Sequence, residues 1–139
     1  MKKSRFLVKV LAIAIIAGLN FSCSTYNGYI KDITSLKSYD GTIKDKKKHV
    51  MMVFFTTSNT PCNMIAPNLN VIAEEMADKL VVAGVNTDMP FVAKEHLTQR
   101  WRVEDMPCMI LYEDGLEIAR NVGYMTKEEL RTWLNKYIK

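Results

Sequence analysis

Two short apolar runs set the frame of the chain. One is Val50-Met51-Met52-Val53-Phe54-Phe55, and the other is Leu80-Val81-Val82-Ala83-Gly84-Val85. Runs of this length and β-forming character predict strands buried on both faces, the pattern of the inner strands of a parallel sheet. Between them, Ile65, Leu69, Ile72, Ala73 and Met76 recur at helical spacing and predict one apolar stripe. Asn59 or Thr60 can cap that helix, and Pro61 suits its first turn, where no backbone N–H partner is needed. Pro67 removes one i→i−4 bond and predicts a kink. The polar turn 56–60 therefore joins a buried strand to a helix, at the carboxyl edge of a sheet, where open α/β folds place their chemistry.

The flanking pattern completes an α/β order. Residues 29–33 alternate weakly, as an edge strand would. Ser35 can cap a helix over 36–46, with Lys46, Lys47 and Lys48 as its solvated end. Residues 91–101 predict a third, less regular helix. A strand over 109–112 follows Met106-Pro107-Cys108. Glu113-Asp114-Gly115 then makes a hairpin turn into 116–122, with Gly115 supplying a positive φ. Thr126 and Glu129 form a capping box for a last helix with Leu130, Trp133, Leu134, Tyr137 and Ile138 on its apolar face. The sum is an α/β fold with a central mixed sheet of about five strands flanked by helices.

Composition changes the picture at the amino end. The net charge is +4. Lys2, Lys3, Arg5 and Lys9 fall within residues 1–22, which hold no acid. From residue 23 onward, 15 basic and 15 acidic residues balance. The excess is a property of the leader, and it argues against a nucleic-acid partner. The apolar stretch 6–19 is shorter than the roughly 20 residues of a membrane span, so a signal peptide over 1–22 is expected. Ser22-Cys23-Ser24 resembles a lipoprotein processing site. That predicts lipidation of Cys23, a tether over 23–28 and a domain over 29–139. The protein would be exported and membrane-anchored, facing the periplasm or the cell surface, where disulfides are permitted.

Pro61-Cys62-Asn63-Met64-Ile65-Ala66-Pro67 resembles the second half of the thioredoxin signature, W-C-G-P-C-K-M-I-A-P, and the likeness extends over 29–139. It implies the thioredoxin topology and a thiol–disulfide role. In that family a first cysteine attacks a substrate disulfide and a second, buried one resolves the mixed disulfide. Cys62 matches the second position. Asn59 stands at the first, a degenerate position that cannot attack. Val53 and Gly84 stand where the family has a buried Asp and its Lys partner, and Ser58 where it has a Trp. These departures agree with one another, since an unpaired buried carboxylate would only cost stability. Met106-Pro107 matches the family's Ile-Pro, whose peptide bond is cis, and Gly115 and Gly123 match family glycines. Thr60, Pro61, Met106 and Pro107 are the positions implied for binding an extended peptide.

Cys108 takes a place where the family usually has Thr, and its loop is expected to bring it near Cys62. Three readings stand side by side. Both can be packed free thiols. They can form a disulfide, worth about 4 kcal/mol if unstrained. Or either can be a working monothiol, slow because an unperturbed thiol is only a few per cent thiolate at neutral pH. His49 and His96 have no metal-ligand spacing with the cysteines, so no metal is expected, and no cofactor is implied. Met51, Met52, Met64 and Met76 fall where core is expected. Two functions follow: thiol–disulfide handling in which Cys62, alone or with Cys108, is catalytic; or a redox-inactive binding module using the groove around Met106-Pro107. Either takes protein or peptide partners, thiol-containing ones included, and meets the membrane through Cys23.

Overall fold

The computed structural model describes residues 28–139. The expected leader and Cys23 lie outside the described residues, as does the tether except for Gly28. Five strands form one sheet: β1 (Ile30–Asp32), β2 (His49–Phe55), β3 (Leu80–Asn86), β4 (Cys108–Glu113) and β5 (Leu116–Val122). They lie in the order β1-β3-β2-β4-β5. β1 and β2 both run parallel to β3, whereas β4 is antiparallel to β2 and to β5. The two apolar runs are thus central and adjacent, which is why both read as continuous hydrophobic stretches.

Strand periodicity divides the core into two layers. Met51, Val53, Val82, Met109 and Leu111 face one side. They meet Ile65, Leu69 and Ile72 of α2 (Thr60–Glu75) and Leu130 and Leu134 of α5 (Lys127–Leu134). Val50, Met52, Phe54, Val85, Ile110 and Tyr112 face the other. They meet Tyr39 and Ile43 of α1 (Leu36–Ile43), Val92 of α3 (Pro90–Lys94) and Leu97 of α4 (Leu97–Arg100). Each such side chain, fully buried, stabilises by about 1.5–3 kcal/mol.

The caps are as expected. Ser35 accepts from the Ser38 N–H, and Thr126 and Glu129 bond reciprocally. Two elements differ from the sequence expectation. α1 ends at Ile43, three residues early, because the Asp45 carboxylate accepts from the backbone N–H groups of Lys47 and Lys48 and closes a turn there. Lys48 is not a solvated helix end; its ammonium donates to the Ala77 carbonyl at 2.6 Å. The third helix is two short ones, interrupted at His96, whose φ of 51° leaves the helical region. α2 continues through Pro67. At the β4–β5 hairpin Asp114 and Gly115 take φ of 48° and 81°, the paired positive values that a two-residue turn needs.

Candidate functional site

The site lies where β2 runs into α2. Asn59 is extended (φ −102°, ψ 122°), and its side-chain oxygen accepts from the Cys62 N–H at 3.1 Å. The residue at the attacking position therefore serves as the helix cap. Thr60 and Pro61, on the first turn, are exposed. Cys62 is 3% exposed, facing inward behind them. Burial pushes its thiol up from the ordinary cysteine range. A bond from the Thr56 backbone N–H partly offsets that, and the charges of Asp105 and Asp88 add to it.

Val53, 1% exposed, precedes this turn on β2 and sits beside Gly84 of β3. No acid or ammonium occupies the two positions that would serve Cys62 from below, so no internal base raises its thiolate fraction. The Met106–Pro107 bond is cis. Pro107 is buried and its carbonyl accepts from the Gly123 N–H at 2.8 Å. The Met106 N–H is taken by the Asp105 carboxylate at 2.9 Å, and the Met106 sulfur accepts from the Thr87 hydroxyl at 3.3 Å.

Cys108 and Cys62 are not bonded to each other. Cys108 opens β4 opposite Phe54 and shares its face, 1% exposed, in the layer with Tyr112 and Ile110. Val53 and α2 belong to the other face. Both thiols are free. The residue after Pro107 is the first of a strand, and strand parity puts its side chain on the face of Ile110 and Tyr112. Burial pushes the Cys108 thiol up, with the Arg120 guanidinium beside it acting in the opposite sense. Met64 also departs from expectation. It is 54% exposed, one position off the stripe that Ile65 and Leu69 turn to the sheet. Met51 and Met52 are core, and Met76 is half-buried.

One residue of the site was missed by sequence reasoning. Asp88 follows β3, and its carboxylate accepts from the Thr56 hydroxyl (2.7 Å), the Thr57 N–H (3.0 Å) and the Thr57 hydroxyl (2.8 Å). The backbone N–H of Thr57, first, and the two hydroxyls hold it below the usual carboxylate range. Its signal was positional: a polar Asn86-Thr87-Asp88 run at the carboxyl end of the neighbouring strand.

Comparison with known proteins agrees with this architecture. The family model for Thioredoxin matches residues 31–136. A thioredoxin of Mycolicibacterium smegmatis is 34% identical over 93 residues, which cover 67% of this chain and 81% of that one. Thioredoxin-2 of Saccharomyces cerevisiae is 36% identical over 94 residues, covering 66% and 86%. Among solved structures, a point mutant of a thioredoxin from Halobacterium salinarum NRC-1 superposes with a TM-score of 0.69 at 21% identity, covering 79% of this chain and 91% of that one. The chain belongs to the thioredoxin family, and with it to proteins that act on protein substrates in thiol–disulfide chemistry.

Proposed function

We propose that this protein is an exported thioredoxin-family member, held at a membrane through lipidated Cys23, that handles thiol–disulfide protein substrates with a single thiol. Extended substrate segments lie between the turn at Asn59, Thr60 and Pro61 and the Met106-Pro107 loop. Cys62, once ionised, attacks a substrate disulfide. A mixed disulfide forms and one substrate sulfur leaves as a thiolate. With Asn59 in the other position, a second thiol from the substrate must break that bond and restore Cys62. Two-cysteine turnover is absent, and exchange is slow.

The observation that carries this reading is the pairing of Asn59 as helix cap with Cys62 as the one thiol behind it. The burial of Cys62 and the apolar Val53 favour the second reading, a redox-inactive module that binds peptides by the same groove. The two are separated with insulin as the disulfide substrate. The full-length protein and its Cys62→Ser and Cys108→Ser variants are mixed with it, quenched in acid, alkylated and resolved without reductant. A mixed disulfide with wild type and Cys108→Ser, and none with Cys62→Ser, is expected. Equal non-covalent capture by all three proteins, with no mixed disulfide, would leave the binding module standing.

A further inference from the structure

Asp88 is an exposed carboxylate, and such groups usually sit in water. This one receives two hydroxyls and a backbone N–H from Thr56 and Thr57. Its own segment is fixed to β2 as well. The Thr87 N–H and hydroxyl both donate to the Phe55 carbonyl, at 2.8 and 3.0 Å. The turn so held offers the Thr56 N–H to the Cys62 sulfur, and the Thr57 carbonyl to the Asn63 side chain at 3.2 Å. The charges that act on Cys62 come from two neighbouring segments, Asp88 after β3 and Asp105 before β4, and no cation among the described residues opposes them.

We propose that Asp88 is the positioning residue of Cys62: its carboxylate fixes the Thr56–Thr57 turn against the start of α2, and its charge adds to the field around the thiol. This rests on the reading of Cys62 as the thiol of the site. The two actions oppose each other. Placing the Thr56 N–H favours the thiolate, which accepts a hydrogen bond, whereas the carboxylate's field disfavours it. Variants can therefore separate them. Asp88→Asn keeps an acceptor and the shape of the turn and removes the charge. Asp88→Ala removes both.

The test is the rate of iodoacetamide alkylation of Cys62 between pH 6 and 10. It uses the full-length native protein, reading the Cys62 peptide by mass spectrometry so that Cys23 and Cys108 do not interfere. Asp88→Asn should lower the midpoint of the profile by about half a pH unit, or roughly threefold in rate below the midpoint. Asp88→Ala should react faster at every pH but lower the midpoint less than Asp88→Asn does. Thr57→Val, which loosens the turn and leaves the charge, should raise the midpoint, because the Thr56 N–H is then less well placed for the thiolate. In wild type, 1 M salt should shift the midpoint toward that of Asp88→Asn, because an exposed charge is screened; this needs no variant to fold. A midpoint unmoved by Asp88→Asn and by salt overturns the proposal. That outcome would leave disulfide exchange by Cys62 intact, and loss of the exchange reading in the insulin experiment would leave the alkylation profile as it is.

Discussion

Val53 and Gly84 are register partners in the parallel β2–β3 ladder, one the last fully buried residue of its face before the site and the other a bare backbone position. The thioredoxin pattern puts an acid and a lysine at these two places. Here both are gone together, and the pocket beneath Cys62 is apolar. Val53→Asp would then bury a carboxylate without a cation, and should cost about 3 kcal/mol of stability. Urea unfolding of Val53→Asp against Val53→Asp/Gly84→Lys checks it. The lysine should recover part of the loss, and equal stability of the two variants would argue that the positions do not communicate.

Asn59→Cys restores the two-cysteine motif on this apolar base. The new thiol would stand at a helix N-terminus, where thiolates are favoured. A disulfide with Cys62 and a gain of insulin reduction are expected, at the expense of about 1 kcal/mol from the lost cap. If the disulfide forms and insulin reduction does not rise, the missing acid and lysine matter more than the missing nucleophile.

Four buried groups have pKa values raised by burial first of all: Cys62, Cys108, Tyr39 and Tyr112, the last pushed up to about 12. A raised acid stays neutral in the folded chain while its unfolded counterpart ionises. Its contribution is complete below the unfolded pKa and is lost as pH rises toward the folded one. Stability should hold up to about pH 8.5, where free thiols begin to ionise, and fall steadily through pH 11. Urea midpoints across that range test it, and Cys62→Ser should flatten the first part of the fall. A constant midpoint would contradict the burial of these groups.

Tyr39 and Tyr112 share one buried hydrogen bond, 2.8 Å between hydroxyl oxygens, within an aromatic group completed by Phe54 and Trp101. Either Tyr→Phe change leaves the other hydroxyl unpaired and should cost about 1–2 kcal/mol. The double Phe variant should be more stable than the sum of the singles predicts, because it leaves no orphan. Strict additivity in thermal or urea unfolding would mean that each hydroxyl finds water.

Much of this architecture is legible in single residues. The runs around Val53 and Val82 announced central parallel strands because burial on both faces removes the alternation seen elsewhere. Thr126 with Glu129 announced a helix start because two orphan N–H groups need two acceptors at fixed offsets. Family membership was legible in Pro61 to Pro67. What failed to show were relations decided by tertiary position. His96 breaks a helix by a left-handed φ that its residue type tolerates but does not demand. Cys108 is the first residue of a strand and takes its direction from the ladder, which its place after Pro107 does not reveal. Asp88 is far in sequence from the turn it holds, so only the adjacency of β2 and β3 brings them together.

The different surroundings of the two thiols turn them into reporters of different openings. Cys62 is buried beside a surface turn that one exposed carboxylate ties down. Cys108 is covered by a whole layer of side chains. Native-state thiol labelling should then yield two free energies from one sample: a small one for Cys62, set by a local fluctuation, and one approaching global unfolding for Cys108. The protein carries its own probes of how far the mobility of the site is uncoupled from the integrity of the domain.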